Sequence, residues 1–237
     1  MTLALFVPCY VDQFFPKAAT ATLELLERLG LTVTVPEGQT CCGQPMANAG
    51  VRRAYEPVSA RHAALFAEAD YIVSPSGSCT LHMAEFEHAT PRRFYELSEF
   101  LVDVLGVTNV DAYYPHRVAI HAACHGLRGL RLGPSSERQD QPRDVVRTLL
   151  SAVEGLELVT LQRPDECCGF GGTFAVAERA VSVRMGNDRL DDHMEAGAQV
   201  VVSTDMSCLM HLQGLSSRQQ RGLSFCHIAE ILNHRRI

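Results

Sequence analysis

A chain of 237 residues, 46% hydrophobic and 20% charged, is long and apolar enough for a packed core, which excludes disordered, collagen-like and disulfide-stapled miniprotein classes. Lys and Arg total 21 against 27 Asp and Glu, a net charge of −6 with no basic run, so no nucleic-acid surface is expected. No apolar run reaches the roughly 18 residues of a membrane span and Pro8 interrupts the apolar N-terminal segment, so the expectation is a cytoplasmic protein with no transmembrane segment.

In chain order, residues 3–7 form an apolar run of strand length that leads directly to Cys9. Apolar residues at mixed three and four spacing predict a helix over 16–28, residues 31–35 read as a second strand, and Cys41-Cys42-Gly43 follows it. A helix over 51–68 and a third strand over 71–73 lead to Cys79 and, three residues later, His82. Residues 106–116 carry Thr-Asn, Asp and Tyr-Tyr-Pro and read as a connector. The order then recurs, with strands over 118–122, 156–161 and 200–203, helices over 142–153 and 175–195, and the residues Cys124, Cys167-Cys168-Gly169, Cys208 and His211.

The recurrence is an internal duplication. Between Cys9 and Cys41 lie 31 residues and between Cys124 and Cys167 lie 42; between Cys42 and Cys79 lie 36 and between Cys168 and Cys208 lie 39. The longer first interval of the second half matches one polar segment, residues 133–143, read as a loop insertion. Chance predicts only about 0.3 adjacent cysteine pairs for nine cysteines in a chain this long, so two Cys-Cys-Gly triplets in register carry weight. Strands alternating with helices predict an α/β fold: two similar lobes, 1–110 and 111–237, each a short, mainly parallel sheet flanked by helices.

In such sheets ligands bind at the carboxyl edge of the strands, which is where both sets of cysteines fall. Cytosolic thiols stay reduced, so the expected sites are one set of Cys9, Cys41, Cys42 and Cys79 and a second of Cys124, Cys167, Cys168 and Cys208. Thiolates select zinc or iron–sulfur clusters. Adjacent cysteines place two sulfurs around a single zinc ion with difficulty, whereas a multi-iron cluster is wide enough for each to bind a different metal, which favours a cluster, up to one per repeat. His82 and His211 share a repeat position and are candidates for additional ligands or for hydrogen-bonding support of the site. His125 reads as a surface or supporting residue, Cys226 as a packing thiol, and Glu99 and Glu230 as part of a solvated helix face.

The motifs Thr40-Cys41-Cys42-Gly43-Gln44-Pro45, Ser74-Pro75-Ser76-Gly77-Ser78-Cys79, Glu166-Cys167-Cys168-Gly169-Phe170-Gly171-Gly172 and Asp205-Met206-Ser207-Cys208 carry a family resemblance. The chain resembles the cysteine-rich "CCG" proteins, among them the cysteine-rich component of heterodisulfide reductase and the iron–sulfur component of glycolate oxidase, and more narrowly looks like the lactate utilization protein A family. The resemblance implies an electron-transfer component of an L-lactate (2-hydroxy acid) oxidation system that holds iron–sulfur clusters of the 4Fe-4S kind. It also implies two partners, a ferredoxin-like iron–sulfur subunit and a third small protein. One departure matters: the last element of each motif is Cys79-x-x-His82 or Cys208-x-x-His211 where heterodisulfide reductases have Cys-x-x-Cys, so their unusual clusters and heterodisulfide cleavage are not carried over. Two other readings stay open, a zinc-binding or metal-free assembly subunit and a thiol–disulfide reductase that uses the vicinal cysteines.

No catalytic residue is assigned. Gly169-Phe170-Gly171-Gly172-Thr173-Phe174 fails G-x-G-x-x-G at Phe174, and there is no Walker A motif or Ser-His-Asp constellation. A chain without a hydride acceptor is expected to rely on partners for substrate chemistry, so an apolar docking patch is expected near residues 44–46 and 170–172.

Overall fold

A computed structural model of the protein describes residues 1–87, 93–138 and 143–236. The first half runs β1 (Leu3–Leu5), α1 (Cys9–Phe14), α2 (Pro16–Arg28), β2 (Val33–Thr34), α3 (Gln44–Asn48), α4 (Arg52–Leu65), β3 (Tyr71–Ser74), α5 (Gly77–Glu87), β4 (Phe94–Glu96) and α6 (Leu97–Glu99), the last continuing as a π-helical turn, Phe100–Val104. The second runs β5 (Arg117–Ile120), a π-helical turn His125–Gly129, α7 (Val145–Ser151), β6 (Glu157–Leu158), α8 (Phe174–Ala177), α9 (Arg179–Glu195), β7 (Val200–Ser203), α10 (Met206–Arg218), β8 (Ser224–His227) and α11 (Ile228–Asn233).

Each half is a four-stranded parallel sheet, and the strand orders, β2-β1-β3-β4 and β6-β5-β7-β8, are the same. The central strands are short apolar runs buried on both faces, as helix-covered parallel strands must be. In this order the chain leaves β1 toward one edge and returns on the other side through β3, which opens a crevice between the carboxyl ends of β1 and β3. Cys9 begins α1 directly beyond β1 and Cys79 lies in the first turn of α5 beyond β3, with Cys124 and Cys208 in the matching places.

The largest core cluster draws on both halves, from Leu3, Leu25 and Phe100 to Val118, Leu149 and Ile231. Helix α2 packs on α11 across the seam, where the Arg28 guanidinium donates to Asn233 Oδ1 at 2.7 Å and to the Leu232 carbonyl at 2.9 Å. At the middle of the seam Gly77 faces Gly126, and a Cβ on Gly77 would meet the Gly126 Cα at 3.2 Å, so glycine lets α5 and the π-helical turn touch backbone to backbone.

Several expectations are corrected. The helix expected over 175–195 is two helices, because Glu178 leaves the helical region at φ −115° and ψ 49°. The second strands shrink to two residues each, since both are sheet edges with one neighbour. Glu99 and Glu230 are not a solvated face. Glu99 is buried and pairs with Arg143 at 3.4 Å, while Glu230 accepts from the His227 N–H at 2.9 Å and closes a capping box on α11. The loop expected over 133–143 and the helix over 142–153 fall partly outside the described residues; the described helix begins at Val145, capped by Asp144.

The two halves are pinned by Asp205. Its carboxylate is buried and accepts from the Ser207 N–H at 3.0 Å, capping α10, and from the Ser78 N–H at 2.8 Å, in the first turn of α5. The Tyr10 hydroxyl adds a bond at 3.0 Å and the Ser76 hydroxyl one at 3.3 Å. Burial alone would raise the carboxyl pKa, but the bonds from Ser207 and Ser78 outweigh it and hold it below the ordinary value. Asp205→Ala is therefore expected to destabilise the fold by about 3 kcal/mol, two lost helix caps plus orphaned donors, read as a lower urea midpoint at unchanged slope. Because the folded pKa is depressed, this contribution is present above the unfolded value near ~3.9 and is lost as pH falls through the folded one, so wild type and variant should converge in acid.

Candidate functional site

At each crevice the four expected cysteines meet. In the first half Cys42 Sγ lies 3.4 Å from Cys79 Sγ, and the Cys41 sulfur takes S–H bonds from Cys42 and Cys9 and an N–H bond from Gly43 at 3.4 Å. The second half repeats this: Cys167 takes bonds from Cys124 and Cys168 and from the Gly169 N–H at 3.4 Å, and Cys168 is bonded to Cys208. Cys42, Cys79, Cys168 and Cys208 are buried, Cys41, Cys124 and Cys167 partly so, and Cys9 is exposed, so each quartet runs from the core to the surface.

The glycine of each triplet has a local reason. Gly43 and Gly169 sit at φ +89° and +82°, and a Cβ would strike the Tyr55 ring at the first and come within 2.7 Å of Met185 Cβ at the second. Only glycine turns the chain this way while leaving its N–H aimed at the preceding sulfur.

The electrostatics single out one sulfur per quartet. Donated bonds from Cys42 and Cys9 draw the Cys41 thiol well below its ordinary range, and the bonds from Cys124 and Cys168 do the same for Cys167. Their donors are held protonated: Cys9 and Cys42, like Cys124 and Cys168, are pushed up, first by the bond to that thiolate and then by other sulfurs and burial. Four soft sulfurs gathered at a crevice form a donor set that fits a thiophilic metal or cluster.

The histidines divide. The His82 ring bonds the Cys42 backbone and packs edge-on against Tyr55 at 5.0 Å between ring centres, and the His211 ring bonds the Cys168 backbone with Nε2 3.3 Å from the Ser182 carbonyl. Both thus hold the second cysteine of a triplet through its main chain. His125 sits between the quartets, Nδ1 3.8 Å from Cys124 Sγ and Nε2 3.5 Å from the Gln44 amide beside the first triplet. Cys226 stands apart from both quartets, packed on the main core beside Tyr114, and burial pushes its thiol up to about 12.

One residue that the motifs do not single out lies in the second site. The His121 ring lies with Cys168 and Cys208 such that all three donor atoms are within 4.8 Å of one another. It also lines a cavity of about 650 Å³ between the ends of β5 and β6 and the loop at Pro134 and Ser135, walled mainly by Ile120, Leu132, Val159 and Leu161. The signal was its repeat partner: His121 occupies the place of Phe6, a polar residue where the other half buries an aromatic one.

The expected docking patch is only partly apolar at the surface. Phe170 turns inward against Leu212 and the His211 ring, and the exposed apolar residues beside the two mouths are Val51 and Val176, the latter 79% exposed.

Residues 3–84 and 118–213 each match the cysteine-rich CCG domain family, the two matches coinciding with the two quartets. Lactate utilization protein A of an Exiguobacterium species is 40% identical to the chain over 248 aligned positions that cover 98% of this chain and 96% of that one. The protein of the same name from Bacillus subtilis is 38% identical over 99% of this chain and 100% of its own length, and that from Geobacillus kaustophilus 39% over the same shares. The chain belongs to the lactate utilization protein A family. Among the described residues no helix is long and apolar enough to cross a membrane.

The sulfur geometry makes a direct prediction for the metal-free protein. With Cys42 and Cys79 sulfurs at 3.4 Å, mild oxidation should join them without backbone movement, since only about 1.4 Å separates contact from bond. Peptide mapping after diamide treatment should find disulfides confined within each half; a link from Cys42 or Cys79 to a second-half cysteine would contradict the arrangement.

Proposed function

We propose that the protein is the iron–sulfur electron-transfer component of an L-lactate (2-hydroxy acid) oxidation system. The observation that carries this reading is the repetition of one four-thiol crevice in two halves of identical topology, joined by a contact path from Gln44 through His125 to Cys124. Cys9, Cys41, Cys42 and Cys79 would hold one cluster, and Cys124, Cys167, Cys168 and Cys208 the other. A cluster of the 4Fe-4S kind, when bound, supplies one-electron storage at low reorganisation.

The protein's own residues do the rest. Gly43 and Gly169 N–H groups bond sulfur and stabilise negative charge, His82 and His211 fix the triplet backbone, and the exposed Cys9 edge brings one site to the surface where a partner can exchange electrons. Hydride removal from lactate falls to partners, which we take to be a ferredoxin-like iron–sulfur subunit and a third small protein, in keeping with a cytoplasmic complex. The names of the relatives, all lactate utilization protein A, support the substrate.

Anaerobic reconstitution with iron and sulfide tests the reading. Visible absorption with iron and acid-labile sulfide in equal amounts is expected, and Cys168→Ser should remove about half of it. The loaded protein alone should not reduce an artificial acceptor with lactate and should gain that activity with its partners. Zinc uptake with no cluster would replace the proposal with the assembly-subunit reading, and lactate turnover by the isolated chain would overturn the relay.

A further inference from the structure

The two quartets share their topology and differ in what supports them. Behind the first, β1 runs out at Phe6, whose ring packs edge-on against His62 at 5.1 Å and Phe66 at 6.0 Å between ring centres. Behind the second, the same repeat position is His121, three residues before Cys124, edge-on to His193 at 6.2 Å. His121 is 1% exposed, and neither ring nitrogen has a hydrogen-bond partner among the described residues. A buried imidazole with both nitrogens unanswered is costly unless something absent from the bare chain satisfies it.

We propose that His121 is a ligand of the metal centre at the second site, so that one half holds a mixed imidazole–thiolate centre and the other an all-thiolate one. This rests on the metal-binding reading above and adds to it. The ring nitrogen and the sulfurs of Cys168 and Cys208 all lie within 4.8 Å of one another, close enough to serve one centre, with His121 taking an iron in place of one of the four thiolates. Imidazole is an accepted partner of thiolate in such centres. The first half has no equivalent: Phe6 brings no donor, and His62 has its Nε2 3.2 Å from the Cys41 carbonyl, bonded to main chain. His211 is likewise engaged with Ser182 and with the Cys168 backbone.

The cavity fits this assignment. His121 lies between the thiols and a space of about 650 Å³, the side from which a partner for the second nitrogen of a metal-bound histidine would have to come.

The test uses the full chain made with ¹⁵N-labelled histidine, loaded anaerobically with iron and sulfide, reduced and measured by pulsed electron paramagnetic resonance. A strong nitrogen coupling that changes with the label is expected on one of two clusters. It should vanish in His121→Phe, the residue the other half carries at this position, and persist in His211→Asn. Two assembled clusters without histidine coupling, or a coupling that survives His121→Phe, would overturn the proposal. If no cluster assembles, the electron-transfer reading fails separately, and Co²⁺ becomes the probe: nitrogen coupling lost in His121→Phe supports the ligand, whereas cobalt bound without it, or no cobalt bound, overturns it.

Discussion

One carboxylate sets the position of three cysteine-bearing helices. Asp205 accepts from Tyr10, Ser78 and Ser207, and each of these is the immediate neighbour of a cysteine: Cys9, Cys79 and Cys208. A buried charge is costly to place unless nearly every lone pair is used, and here five donated bonds, two from Ser207 and one each from Ser78, Tyr10 and Ser76, use them. The helix N-termini of α5 and α10 add favourable field at the same point. Because those termini belong to different halves, the residue that caps the second cysteine helix also fixes the first, and the two crevices cannot shift independently.

Duplication explains the shared frame, and divergence at buried positions explains why the halves are not equivalent. Around Phe6 the first half fills the space behind its quartet with Phe66, Phe94 and the ring of His62. The second half places His121 and His193 there, with Arg189 fully buried and paired to Asp192 at 3.0 Å, whose carboxylate also accepts from the Gln162 and Arg163 N–H groups at 2.9 and 3.1 Å. Burial and the guanidinium together depress the His121 and His193 pKa values, so both rings are neutral near pH 7 and able to use a lone pair. An apolar support holds thiols in place; a polar one also offers donors and acceptors to whatever binds.

Much of this was legible in the sequence, and the exceptions share a physical cause. The helix over 16–28 coincides with α2 because Ala18, Ala21, Leu25 and Leu26 bury one face at helical spacing and Pro16 starts it. The central strands are legible because they are apolar on both faces, and the cysteines because two triplets in register leave a pattern no composition effect produces. The fourth strands, β4 and β8, escape notice: Phe-Tyr-Glu and Ser-Phe-Cys-His are short, mixed in polarity and run straight into helices capped by their own last residues, Glu96 and His227. Glu99 misleads because the partner that lets it be buried, Arg143, lies 44 residues away in sequence. Asp205 aligns with Ser76, and a single polar difference between repeats has no periodicity to announce that it is the pin of the whole seam.

The contact of Gly77 with Gly126 gives that seam its use. Backbone approach at this point draws the π-helical turn His125–Gly129 against α5, and the turn starts at the residue that lies between the quartets, with Cys124 on one side and Gln44, next to the first triplet, on the other. A π-helical turn widens the local spiral by one residue, which re-aims side chains where a regular turn would not. Here it leaves the Cys124 sulfur on the second quartet while the next residue, His125, reaches the first triplet's neighbour. The contacts between the two sites thus lie within one seam, while Cys9 brings the outer edge of the first to solvent.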